Sequence, residues 1–361
     1  MSKRIDPAHK ATDGIIRAME KDIAKEYAKA NKEVQEKLSD YWRRFEKKDA
    51  TWQEWVKNNI RTEEEYQKWR MQQLLVGKRW EEMKDSIATD YVNAHDMAER
   101  IVNGRMAEVY ALNHNYATYA IEAAAKVDTS YTLYSRESVE RLFRDNPKLY
   151  KRPGSATRKA IRNGELKRWN RKQIQSVMVQ GIVQGDSIPN LTKRLEKVTG
   201  GNHKAAIRNA RTMATGVQNA GRIEAYKRAN DMGIPTKKTW LAAMDNRTRH
   251  WHRELDGETV DVDKPFKVEL PDGTTDKIMY PGDPDADGAN IYNCRCTLLS
   301  SVDGDEIDYT DPAIRHWDKD YSSYEEWEQG HTKSQPIDKQ EKIGNAIKAE
   351  YIREYRNGGK H

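Results

Sequence analysis

The 361-residue chain has two cysteines, three phenylalanines and, ahead of Pro147, a single proline, Pro7. Each scarcity removes a class of protein. Cys294 and Cys296 are separated by one residue, so they cannot staple a secreted disulfide scaffold and they point to a reducing compartment. No apolar run approaches the roughly 20 residues of a spanning helix, and the mean hydropathy of −1.01 leaves no expectation of a membrane partner. The opening MSKRIDPAHK lacks an apolar h-region, so a cleaved secretory signal is not expected either. Three phenylalanines beside ten tryptophans and eighteen tyrosines favour amphipathic contacts over one deep apolar core. The length suits two or three domains.

What is present is charge, and it is sorted. Residues 1–140 sum to −1, residues 141–230 to +16 and residues 241–330 to −13, within a net charge of +6. Such asymmetry raises the question of a polyanionic partner.

The proline-poor first 140 residues, rich in Ala, Glu, Lys and Gln, predict long helices. Thr51 with Glu54 and Thr62 with Glu65 both match the capping box, in which hydroxyl and carboxylate satisfy orphan backbone donors reciprocally. Trp42, Phe45, Trp52, Trp55, Trp69 and Trp80 punctuate otherwise charged turns, with Trp52 and Trp55 on one helical face. They read as seams of a thin helical bundle, or as anchors for a partner.

Residues 141–180 hold twelve basic residues against Asp145 and Glu165. Asn170 reads as the start of a helix ending near Gly185, and Ser187 and Pro189 start another running to about Val198. A third helix is expected from Asn202, after Gly200 and Gly201, to Gly233. Lys204, Arg208, Arg211 and Arg222 recur on one side of it, the footprint of phosphate contact. No helix-turn-helix, zinc-finger or RNA-binding signature accompanies the stripe, so any DNA contact is expected to be sequence-independent; the bland reading is a solvated face.

From Thr236 the periodicity changes. A strand is expected over 237–244, a helix entered at Asp245 and closed by Gly257, a hairpin with Pro271, Asp272 and Gly273 at its turn, and a last strand over 296–302. The whole is a small α+β module. On such a helix Asp245 and His252 lie two turns apart on one face. His250, His252, Cys294 and Cys296 supply nitrogen and sulfur of the kind that holds a tetrahedral zinc, although C-x-C is not finger spacing. The alternative is a buried His252 bonded to Asp245, with the cysteines as small core residues. Asp283, Asp285, Asp287 and Gly288 begin like a calcium loop, but Cys294 occupies the position of the bidentate Glu, which favours an acidic turn.

Several of these pieces together carry a resemblance. They are Ala210, Arg211 and Thr212 with Asn219, Gly221 and Arg222 on one helix; Trp240; Asp245, Arg247, Thr248, Arg249, His252, Leu255, Asp256 and Gly257; Tyr280, Pro281, Asp283 and Pro284; and Asn293, Cys294, Arg295 and Cys296. Over roughly residues 170–302 the chain resembles the phage Mu F-like minor head protein family, also called the phage head morphogenesis domain. The resemblance implies a tailed-phage or prophage virion component at the portal vertex, acting in head assembly, DNA packaging or ejection and present in host cytoplasm during assembly. Its implied partners are the portal protein, other head proteins and packaged double-stranded DNA. Family members are sometimes fused to toxin or enzymatic domains; the acidic stretches after residue 303 show no such addition.

The expected architecture is therefore mainly α. A helical region (1–140), a candidate for binding the portal, precedes a basic helical region (141–235), the α+β module (236–302) and an acidic linker with a C-terminal helix over 337–356 (303–361). Trp317, Tyr321, Tyr324 and Trp327 are expected to dock back on the body. Two other readings compete with a non-enzymatic head protein. One is a metal-dependent hydrolase or nuclease on Asp245, His252, Cys294 and Cys296, which lacks a phosphate loop or a complete catalytic set. The other is a DNA-compaction protein, whose basic charge the acidic module would partly neutralise.

Overall fold

The computed structural model describes residues 6–127, 133–145, 156–184, 186, 188–308, 324 and 326–328. Six helices come first: α1 Pro7–Lys57, α2 Glu63–Leu75, α3 Lys78–Ala125, α4 Arg136–Asp145, α5 Ala156–Val183 and α6 Ile188–Asp231. The module follows as β1 Thr236–Leu241, α7 His250–Glu254, β2 Thr259–Asp261, β3 Phe266–Glu269, β4 Thr275–Ile278, α8 Gly288–Ile291, β5 Thr297–Val302 and β6 Asp305–Glu306. The mainly α architecture with a small α+β module is as expected. The expected C-terminal helix, Trp317 and Tyr321 lie outside the described residues.

The chain forms two compact units, one from Met19–Ile101 with Pro153–Ile207, the other from Met1–Ala18, Val102–Arg152 and Arg208–His361. The first 140 residues thus contribute to both.

In the purely helical unit, apolar residues at three- and four-residue spacing meet: Leu38 and Trp42 from α1, Trp80 and Ile87 from α3, Ile174 and Met178 from α5, Leu191 and Leu195 from α6. Thr62 caps α2 with the expected reciprocal bonds to Glu65. No helix starts at Thr51, because α1 continues unbroken to Lys57. Trp52 and Trp55 do share a face, with ring centroids 5.3 Å apart, and Trp69 stacks on Trp52 at 5.1 Å.

Asn170 and Asn202, read as helix starts, are interior to α5 and α6. Asn170 is fully buried and its side-chain oxygen accepts from the Asn202 amide at 3.1 Å. Likewise Gly200 and Gly201 do not interrupt α6. Two glycines forfeit about 2 kcal/mol of helix propensity, which the burial of Leu195, Val198 and Ala206 on either side offsets. Much of the basic charge of α5 is internally paired: Lys167 and Arg171 with Asp85, Arg171 with Glu81, and Arg162 with Glu99, all acids of α3.

In the other unit a four-stranded antiparallel sheet runs β2-β1-β5-β6, with Trp240 opposite Leu298 and Lys238 opposite Ser300. The β3–β4 hairpin pairs Phe266 with Ile278 and turns at Gly273, whose φ of 81° suits a residue without Cβ. Lys238 is buried, and its ammonium donates to the carbonyls of Val262 (3.0 Å) and Met279 (2.9 Å), the flanks of that hairpin. Burial pulls its pKa down to about 8. Tyr324 and Trp327 pack on Tyr116 and Tyr119 of α3, each at 5.1 Å, as docking on the body requires.

Candidate functional site

The motif residues of α6 lie on the face that carries the segment 293–298. Thr212 Oγ1 accepts from the Asn293 amide at 3.1 Å, and Thr215 Oγ1 donates to the Cys294 carbonyl at 2.7 Å. Asn219 accepts from the Leu298 amide at 3.0 Å and donates to the carbonyls of Pro281 and Cys296. Arg222 donates to the Leu298 carbonyl at 2.8 Å. Steps of three and four residues keep these side chains on one face, so a single helix satisfies a strand entry that has few sheet partners. Gly216 lets the backbones close: a Cβ there would sit 2.7 Å from the Gly282 carbonyl.

This arrangement corrects the phosphate stripe. Arg222 is not on it: its side chain is 2% exposed, paired with the Asp6 carboxylate and bonded twice to Asn113 Oδ1, at 3.0 and 2.8 Å. The 18-residue interval keeps Arg222 in helical phase with Lys204, yet that face is covered at 222 and open at 204. Lys204 and Arg208 are exposed, Arg208 over the Tyr292 ring at 5.3 Å, and Arg211 is partly buried.

The expected helix from Asp245 shrinks to α7, His250–Glu254. Residues 245–248 form a turn instead, because the Asp245 carboxylate accepts from the Arg247 amide at 2.9 Å and from Thr248 Oγ1 at 3.2 Å. Arg295 takes the same carboxylate in a two-point contact, with 2.8 Å from Nη2, and this is the main reason its pKa falls well below the usual carboxylate range. Asp245 is therefore bound to Arg295, not to His252. Arg247 is exposed with its guanidinium 3.6 Å from Asp245, and Arg249 donates to the Tyr292 carbonyl at 2.5 Å. Gly257, at φ 83°, returns its amide to the Trp240 carbonyl at 2.9 Å, while Asp256 accepts from the Ala242 amide at 2.9 Å.

Behind this turn lies a buried centre of His252, Cys294 and Cys296, whose donor atoms are all within 4.8 Å of one another. Both sulfurs stand 3.7 Å from His252 Nδ1. His250 is excluded from it: 81% exposed, it pairs with Glu254 at 3.1 Å, since adjacent-but-one residues of a helix face different ways. The ring is oriented through Nε2 by Asn290 Oδ1 at 3.3 Å, and Asn290 in turn donates to Asp276 Oδ2 at 2.8 Å. Between the thiols, the Cys296 pKa is lowered chiefly by donation from Cys294, whereas Cys294 is raised as the donor and by burial.

Asn290 and Asp276 were not read from the sequence. The available signal was Asp287, which caps α8 by accepting from the Ala289 amide at 2.7 Å and so sets Asn290. The calcium-like carboxylates serve backbone: Asp283 accepts from the amides of Met279 (2.9 Å) and Asp285 (3.0 Å), which makes the segment an acidic turn.

A long helix bonded along the Asn-Cys-Arg-Cys segment of a small sheet module, closed around a thiol and imidazole centre, defines a class of helix-supported α+β modules. Residues 172–299 match the family described as Phage Mu protein F like protein, so this stretch of the chain is a domain of that family. The minor head protein GP7 of Bacillus phage SPP1 is 25% identical over 302 residues, 82% of this chain and 86% of that one. The NAD(+)–arginine ADP-ribosyltransferase EFV of Enterococcus faecalis is 30% identical over 156 residues, 43% of this chain but only 31% of that protein, so the chain spans under a third of it. The uncharacterized protein YqbB of Bacillus subtilis is 26% identical over 132 residues, 36% of this chain and 41% of that one. No solved structure matches.

Proposed function

We propose that this protein is a non-enzymatic minor head component of a tailed phage or prophage, built into the virion at the portal vertex and acting in head assembly, DNA packaging or ejection. The observation that carries the reading is the collinear match to a minor head protein over 82% of this chain and 86% of that relative. The fold supports it, because the motif residues Thr212, Asn219 and Arg222 are spent on joining α6 to the module. Position in an assembled head, with co-purification of a portal oligomer at moderate salt, is the test. A chain absent from heads, or indifferent to the portal, would overturn it.

Non-specific DNA contact belongs to this reading in a narrower form. Pairing with acids of α3 takes Arg162, Lys167 and Arg171 of α5 out of that contact, while Lys204 and Arg208 stay exposed. Retention on duplex DNA should fall with rising salt, and each of Lys204→Ala and Arg208→Ala should lower the salt slope by about 1.

The hydrolase alternative is disfavoured by the geometry. Asp245 is engaged by Arg295, and the imidazole sits at 1% exposure with its Nε2 on Asn290. Incubating supercoiled DNA with divalent metals separates the readings; cleavage by the intact chain and not by His252→Ala would favour the enzyme.

A further inference from the structure

We propose that His252, Cys294 and Cys296 bind one Zn2+ ion through Nδ1 and two thiolates, and that this ion braces the C-terminal module without taking part in a reaction.

The first argument is the tautomer. Asp276 is an acceptor and Asn290 Nδ2 donates to it at 2.8 Å, which turns Asn290 Oδ1 toward Trp251 Nε1–H at 2.7 Å and His252 Nε2 at 3.3 Å. Oδ1 only accepts, so Nε2 carries the proton and Nδ1 presents its lone pair to the two sulfurs. A chain of carboxylate, amide and imidazole of this kind orients a metal-ligating histidine.

Distance supplies the second argument. Both sulfurs lie 3.7 Å from the same Nδ1. One ring nitrogen has one lone pair and accepts one well-aligned S–H donor, so at most one of the two approaches is a hydrogen bond to Nδ1. A tetrahedral zinc matches both: bonds of about 2.3 Å to sulfur and about 2.05 Å to nitrogen put those atoms about 3.6 Å apart. Third, all three side chains are 1–2% exposed. Zinc would explain why two thiols and an imidazole are gathered in a core otherwise filled by Trp240, Leu298 and Phe266. Among the described residues no fourth His, Cys, Asp or Glu joins the group. At this burial no substrate-sized group reaches the ion, which ties α7 to the entry of β5.

Binding displaces the thiol protons, so zinc uptake should release protons and weaken as pH falls. The test uses the full chain, purified without chelator, with metals measured by mass spectrometry. One zinc per chain is expected, lost on dialysis against a strong chelator with a fall in Tm, and restored by adding zinc. Cobalt in its place should give thiolate-to-metal charge transfer and the intense visible bands of a four-coordinate site. Because Cys294→Ser and His252→Ala could unfold the module, Asn290→Leu provides the second arm: it keeps all three ligands and should weaken zinc affinity 10- to 100-fold. Less than 0.1 zinc per chain with no cobalt spectrum after reconstitution, or stoichiometric copper in place of zinc, would overturn the proposal.

Discussion

Replacing Arg222 by methionine keeps most of the side-chain volume and removes a guanidinium from a site where nothing else is charged enough to replace it. Its partners are the Asp6 carboxylate, fully buried, Asn113 Oδ1, which loses two donors, and the Leu298 carbonyl in β5. Removing one member of a buried pair costs about 3–5 kcal/mol, and each orphaned neutral acceptor about 1–3 kcal/mol, with the contributions overlapping. A loss of about 4–5 kcal/mol is therefore expected, a large fraction of the roughly 5–15 kcal/mol that holds a folded domain. Urea unfolding followed by far-ultraviolet circular dichroism should show a midpoint lower by about 2 M for a slope of about 2 kcal/mol per molar. Adding Asp6→Asn to Arg222→Met should recover part of the loss, since the uncompensated charge is gone. Retention on DNA by the folded fraction should not change. A variant within 1 kcal/mol of the parent that had lost DNA retention would refute the burial argument and return Arg222 to the phosphate stripe.

Gly216→Ala should destabilise by about 1–3 kcal/mol by thermal unfolding, because its Cβ meets the backbone carbonyl of Gly282, itself fixed at φ 81°. By contrast Gly200→Ala and Gly201→Ala, with open space around each Cβ, should each raise stability by about 0.5–1 kcal/mol. Lys238 has a folded pKa near 8, below that of an unfolded lysine, so the unfolded state binds more protons between pH 8 and about 10.5. Stability should rise with pH across that window by at most about 3 kcal/mol, and the rise should be absent in Lys238→Met when the two are compared by urea unfolding. The lowered pKa of Asp245 gives a contribution present above pH 4 and lost on acidification; at 38% exposure, Arg295→Met should remove only about 1 kcal/mol of it, measured at pH 7 against pH 3.

The helical character of the first 230 residues was legible because it is local: propensity, the absence of proline and the Thr62 box act within a few residues. Boundaries failed where a distant partner overruled a local signal. Thr51 and Asn170 are good cap residues, but α1 and α5 run helical through them, and Asn170 is itself buried and bonded to Asn202 of α6. In the opposite sense, Asp245 looked like a helix start and became a turn, since Arg295, fifty residues away, and the Arg247 amide hold its carboxylate. The hairpin at Gly273 was readable because a tight turn needs its own residues.

What the sequence by itself determined was the inventory: a basic middle, an acidic module, two thiols one residue apart, and motif spacing sufficient to name a family. Tertiary structure alone decided how each member of that inventory is used. Of two arginines in one helical phase, Arg208 meets solvent and Arg222 meets Asp6; of two histidines on one short helix, His252 faces the thiols and His250 faces water. The reason is that helical phase and residue type are local properties, while burial, and with it the strength of every charge and hydrogen bond, depends on which distant segment covers the side chain.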